Sequence, residues 1–170
     1  MITIRIATPD DASAILALLA EIMQLHGVKP PARERLTAVV RAVLDRSARE
    51  VEAASLCDHS ILVAEQQGTI VGMCALLFSL STWSAAPVCE IQDLVVTTPH
   101  RRNDIGRGLL ETAERLARQR GCSRLFLLAE SWNLGAHAFY RRLGLAEKTC
   151  LYFERSLESP PPADAEADAG

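Results

Sequence analysis

No stretch of these 170 residues approaches the roughly 18 consecutive apolar residues that a membrane-spanning helix needs. The first 25 residues carry Asp10, Asp11 and Glu21, acids that a secretory leader would lack. Paired cysteine motifs are missing as well. Cys57, Cys74, Cys89, Cys122 and Cys150 are odd in number and widely spaced, with no C-x-x-C among them, which argues against a disulfide framework or a zinc site and for a reducing compartment. His26, His59, His100 and His137 form no H-E-x-x-H or comparable cluster, so no structural metal is expected. An excess of positive charge is absent: the net charge of −3 excludes a general nucleic-acid surface. There is no internal repeat. These absences predict a cytoplasmic domain with neither membrane nor nucleic-acid partners.

What is present is ordinary globular composition, 49% hydrophobic and 23% charged, in a chain long enough for one domain with a real core. Ile2–Ile6 alternates like a half-buried strand. Thr8-Pro9-Asp10-Asp11 reads as a helix start, and Ile15, Leu18, Leu19 and Ile22 follow at helical spacing. After Gly27 and Pro30-Pro31, residues Leu36, Val39, Val40, Val43 and Leu44 mark a second amphipathic helix. Ile61–Glu65, a turn at Gln67-Gly68 and Thr69–Leu80 predict a hairpin, and Val88–Val96 predicts the next strand. Leu109, Leu110, Ala113, Leu116 and Ala117 give a helix one apolar face, with Gly121 as its stop. Leu125–Ala129 is expected as a buried strand, Gly135–Leu143 as a helix and Thr149–Phe153 as a final strand. The order β-α-α-β-β-β-α-β-α-β is that of a mixed α/β layered domain. Beyond about Ser156 the Pro-, Ala- and acid-rich sequence predicts disorder, so the domain is expected over 1–157 with a tail over 158–170.

The most informative stretch joins a strand to a helix. The run Leu94–Val96 stops before Pro99, and the turn Arg101-Arg102-Asn103-Asp104-Ile105-Gly106-Arg107 opens an amphipathic helix. A helix start offers unbonded N–H groups and the positive end of a dipole, and a nest of turn amides adds more. Arg101, Arg102 and Arg107 add mobile positive charge. The stretch predicts a site for a phosphate-bearing ligand.

This turn, followed by the segment from Asn133 to Gly144 that contains Phe139 and Tyr140, resembles the GNAT family of CoA-dependent N-acetyltransferases over nearly the whole chain, Ile2 to about Leu157. The family's pyrophosphate signature is Arg or Gln, two variable residues, Gly, one variable residue, then Gly or Ala. Arg101, Asp104 and Gly106 occupy those places. The resemblance implies the GNAT acyl-CoA N-acyltransferase fold, an α/β architecture with a mixed central β-sheet flanked by helices. It implies acetyl-CoA as co-substrate, held by Leu94, Val95, Val96, the turn from Arg101 to Arg107, and Asn133, and it implies a homodimer. Ser81-Thr82-Trp83 is similar to the polyamine and thialysine acetyltransferases. Glu90–Val96 is similar to the aminoalkylphosphonate acetyltransferases. Both groups acetylate small primary amines, so a diamine, an aminoalkylphosphonate or an amino-antibiotic is the expected acceptor.

Acetyl transfer to an amine requires a neutral nitrogen, a polarised thioester carbonyl and a protonated leaving sulfur. A carboxylate can take the amine's proton. Glu90 matches the catalytic Glu of the aminoalkylphosphonate group, whereas Gln92 stands where the polyamine group has its Glu and cannot act as a base. Glu90 and Gln92 share parity in a regular strand, and Asp93 would face the other side unless a bulge intervenes. Main-chain N–H groups of Leu94–Val96 would polarise the carbonyl. Tyr140 matches the family's general acid. No covalent enzyme intermediate is implied.

The blander readings are an exposed acid at Glu90, a core aromatic at Tyr140, and structural or solvated roles for His26 and His137. Cys89 is expected in the core, and Trp83 either in the core or on the wall of a substrate cleft with Gln92 and Asp93. Asp104 departs from the family's Gly, and its charge should repel a diphosphate unless it faces solvent or pairs with a neighbouring Arg. That departure, with Gln92, motivates one alternative, an acyl-CoA-binding regulatory domain without catalysis; a protein N-acetyltransferase is a third reading.

Overall fold

The hairpin that dominates the sheet is set by two left-handed residues. In the computed structural model, Gln67 and Gly68 have φ of 51° and 77°, the pair of positive values that a two-residue hairpin turn demands. They join β2 (Asp58–Gln66) to β3 (Thr69–Ser81), and β4 (Ala86–Val96) returns antiparallel beside β3. The structure describes residues 1–49 and 58–157. The strand β1 (Ile2–Ile6) pairs antiparallel with β2, and β5 (Leu125–Leu127) pairs parallel with β4. The result is a mixed five-stranded sheet in the order β1-β2-β3-β4-β5.

Paired residues in neighbouring strands share a face, so the register separates two layers. Ile61, Val63, Met73 and Val95 lie on one face, buried with Ile15, Leu18 and Leu19 of α1 (Ala12–Leu25) and Val40 and Leu44 of α2 (Arg33–Arg49). The opposite face receives α3 (Ile105–Gln119), whose Leu109, Leu110, Ala113 and Ala117 are buried. Two glycines set how closely α3 approaches. A Cβ on Gly108 would stand 2.7 Å from Ile4 Cδ1, and one on Gly72 would stand 3.0 Å from Val95 O and 3.4 Å from Leu109 Cδ1.

The start of α1 follows the expected capping chemistry. Asp11 Oδ2 accepts from the Thr8 N–H at 2.8 Å and from the Thr8 hydroxyl at 3.1 Å. The same carboxylate takes both arms of Arg5, at 2.7 and 2.9 Å, and Arg5 also donates to Glu65. At the other end of the sheet, Arg120 lies 4.1 Å over the Phe78 ring and pairs with buried Asp58 at 3.2 Å. Gly121, at φ 70°, terminates α3 as its sequence position predicts.

The chain divides into two compact units, Met1–Asn133 and Leu134–Gly170. The second contains α4 (Leu134–Arg142), closed by Gly144 at φ 84° and by the Leu145 N–H donating to Tyr140 O at 3.1 Å. Two sequence expectations fail. The predicted strand Thr149–Phe153 does not form, and Leu151, Tyr152 and Phe153 are exposed. Three adjacent large apolar residues select neither face of a sheet, and β-propensity without a paired ladder does not hold a strand. The strand expected over Leu125–Ala129 is shorter, ends at Leu127, and is only partly buried. The expected tail, 158–170, lies outside the described residues, as does Cys57.

Candidate active site

The site grows from an irregularity in β4. Ile91 pairs with Leu76 and Asp93 with Ala75, so Gln92 is an extra residue opposite no partner. Such a bulge reverses side-chain parity beyond it. Ala75 and Leu77 share a face of β3, and their partners Asp93 and Glu90 therefore share that face too. It is the face of α1 and α2. The exposed Gln92 is displaced from the alternation it would hold in a regular strand. Cys89, paired with Phe78, falls on the α3 face and is fully buried, as expected.

Just past Glu90 the sheet forks. The pairing of β4 with β5 covers only Cys89–Ile91, while its pairing with β3 continues to Val96. Thr97 N–H returns to Val71 O at 2.9 Å, and the Val96 carbonyl turns outward to accept from Arg101 Nε at 2.9 Å. Strand alternation then aims the Leu94 and Val96 N–H groups away from β3, on the side where β5 no longer pairs. The Val95 amide points into the sheet and its side chain is buried with α1 and α2. Of the three residues expected to donate, Leu94 and Val96 have the orientation for it.

The anion turn follows Val96. Arg102 and Asp104 adopt left-handed φ of 65° and 55°, and Ile105 plugs the turn into the core. The helical ladder begins with Gly108 N–H donating to Asp104 O at 2.9 Å. The amides of Ile105, Gly106 and Arg107 precede it with no intrahelical acceptor, at the positive end of the α3 dipole. This is the arrangement that binds phosphate oxygens. Asn103 braces the turn through Nδ2 to His100 O at 3.4 Å. Asp104 tolerates the left-handed geometry that Gly would otherwise supply. Its side chain is 84% exposed and lies 3.4 Å from Arg107 Nε, both turned to solvent and paired.

The arginines are less mobile than expected. Arg101 is held by Val96 O, and its guanidinium also lies 3.5 Å from Glu21, which accepts from the Thr98 N–H and hydroxyl. Glu21 thus fastens α1 to the anion turn. Arg107 is shared with Asp104, and Arg102 is exposed.

Sequence reasoning missed His26 and Trp132. Their rings meet edge to face at 5.0 Å between centroids. His26 caps the C-terminal end of α1, and Trp132 follows β5. Asp93 is partly buried; that burial pushes its carboxyl above the ordinary range, and the charge of His26 opposes the shift. No motif links positions 26 and 132; only the packing at the end of α1 does.

Asn133 closes the turn after β5, its N–H donating to Glu130 O at 2.9 Å. Tyr140 lies on α4 in the second unit, its ring 5.2 Å from that of Phe139. Trp83 is 94% exposed at the β3–β4 turn, which removes the core-packing reading. Cys74 and Cys89 are buried thiols whose ionisation is opposed by burial, the latter pushed up to about 12, so neither is a nucleophile at neutral pH. Among the described residues there is no group of three metal-binding side chains, and no helix is long and apolar enough to cross a membrane.

A helix start with free amides thus lies beside a forked strand, and comparison with known proteins identifies the family. The chain is 33% identical over 144 residues to the aminoalkylphosphonate N-acetyltransferase of Salmonella typhimurium, covering 83% of this chain and 82% of that one. It is 27% identical over 167 residues to the thialysine N-epsilon-acetyltransferase of Bos taurus, covering 90% and 92%. A possible acetyltransferase from Clostridium difficile 630 superposes with a TM-score of 0.77 at 21% identity, over 94% of this chain and 99% of that one. Family members use acetyl-CoA as co-substrate. Residues 19–145 match the acetyltransferase (GNAT) family, and with that match the chain belongs to the GNAT family of acetyltransferases.

Proposed function

We propose that this acetyltransferase moves acetyl directly from acetyl-CoA to a primary amine of a small molecule. The observation that carries the reading is the bulge at Gln92, which sets Glu90 and Asp93 on one face beside the outward Leu94 and Val96 amides. The Ile105–Arg107 amides hold the diphosphate, and Asn133 contacts the CoA arm. Leu94 and Val96 donate to the thioester oxygen as charge develops there. Glu90 takes a proton from the attacking nitrogen as general base, and Tyr140 gives one to the departing sulfur as general acid. The names of the relatives support aminoalkylphosphonate and thialysine-like diamine acceptors, and an amino-antibiotic is the third class. The protein acts in the cytoplasm as a homodimer.

The presence of both Glu90 and Tyr140 supports catalysis over a purely regulatory acyl-CoA-binding role, which needs neither. The test is release of free CoA thiol from acetyl-CoA with diamines, aminoalkylphosphonates and aminoglycosides. Turnover with one of these classes is expected. Acetyl-CoA binding with no thiol release from any class refutes the reading in favour of the regulatory domain.

A further inference from the structure

The reaction proposed above hands the enzyme two protons, and Glu90 accounts for one. A primary amine arrives as an ammonium ion and must lose a proton before its lone pair can attack. A second N–H proton leaves as the C–N bond forms and the C–S bond breaks. Glu90 takes that second proton and Tyr140 protonates the sulfur, which leaves the first proton without an acceptor.

We infer that Asp93 is a further catalytic residue of this site, accepting the ammonium proton before attack. The inference rests on the amine-transfer reading. Three observations carry it. The bulge turns Asp93 onto the face of Glu90. Asp93 is the second residue beyond the last β4–β5 pair, at the mouth of the fork, and it immediately precedes the outward Leu94 amide. It is partly buried, so its carboxylate is poorly solvated and gains more from an incoming cation than an exposed acid would.

The protons balance. Ammonium and Asp93 carboxylate give neutral amine and Asp93 carboxylic acid, whose proton then leaves to solvent. The N–H proton on Glu90 restores the Tyr140 hydroxyl through solvent. One proton is released per acetyl transferred. His26 favours the charged form of Asp93 and so keeps it ready to meet an ammonium ion.

Glu90 shares the face of Asp93 along β4 and the charge of His26 acts on it from α1, whereas Cys74 of β3 lies on the opposite, α3 face and burial keeps its thiol protonated. The experiment is the pH profile of kcat/KM for the best amine in wild type, Asp93→Asn and His26→Gln, with acetyl-CoA binding measured in parallel. In Asp93→Asn, kcat/KM is expected to fall about 100-fold or more at neutral pH. It should then climb with pH as free neutral amine appears, while acetyl-CoA affinity is kept. In His26→Gln the acidic limb is expected to move to higher pH, a change that a merely structural role would not produce. If Asp93→Asn fails to bind acetyl-CoA, Asp93→Glu decides: activity with a wild-type-like profile upholds the proton acceptor, and its loss overturns it. An active wild type whose Asp93→Asn variant keeps its rate and profile overturns the inference and leaves the amine reading standing. No thiol release by wild type with any amine overturns both.

Discussion

Replacing Asp104 by Asn separates the charge of that side chain from the turn it occupies. Asn accepts left-handed φ as readily as Asp, so the backbone at φ 55° should persist. The carboxylate makes no capping bond to α3, so the helix loses no cap. What changes is one negative charge near the diphosphate site and the partner of Arg107. At 84% exposure the charge acts through water. A unit charge at about 6 Å in that medium is worth roughly 0.7 kcal/mol, reduced by ordinary salt. Releasing Arg107 from a surface pair costs at most about 1 kcal/mol and frees a cation for phosphate. The sum predicts acetyl-CoA binding tightened by about 2- to 10-fold at low salt, with a smaller gain at high salt. Tm should move by no more than about 4 °C. Calorimetric titration of both proteins at two ionic strengths measures this. Weaker binding by Asp104→Asn at low salt would refute the repulsion argument and show that the carboxylate organises the turn.

Tyr140→Phe should lower turnover by about 100-fold while leaving acetyl-CoA affinity within about 2-fold, and unchanged turnover would remove Tyr140 from the mechanism. Gly72→Ala should destabilise the fold by about 1–3 kcal/mol in chemical denaturation, because its methyl meets the rigid Val95 carbonyl. Gly108→Ala should be tolerated better, since Ile4 Cδ1 is the free end of a side chain. Arg120→Ala should cost about 3–5 kcal/mol by leaving the buried Asp58 carboxylate unpaired, and a loss below about 1 kcal/mol would contradict that reasoning. The hydrogen bonds from Arg5 hold the Asp11 carboxyl at about 2 against an ordinary 3.8. The unfolded chain therefore binds that proton first as pH falls. The pair contributes up to about 2 kcal/mol above pH 4, lost as pH drops towards 2, and Arg5→Met should flatten that part of the stability profile.

Local chemistry made much of this protein legible in its sequence. The capping residues Thr8 and Asp11, the Gln67-Gly68 turn, the stop at Gly121 and the apolar stripe of α3 each act within a few residues. Periodicity therefore located the strands and helices of the first unit. The anion turn was legible for the same reason: free amides at a helix start need only the strand before it and the helix after it. Even the tolerance of Asp at position 104 follows from a local backbone preference.

Tertiary structure decided what depends on partners distant in the chain. The bulge at Gln92 exists only in the register of β4 against β3, and it moves Asp93 to the face of Glu90. The fork after Ile91 depends on where β5 stops pairing. Packing of α1 alone brings His26 against Trp132. The absent strand at Thr149–Phe153 teaches the converse, because β-propensity is realised only when another strand supplies the ladder. Sequence thus determined most of the elements and the turn that opens α3, whose hydrogen bonds close locally. The fold decided which side chains face one another, because strand register and helix packing are set by contacts between residues far apart in the chain.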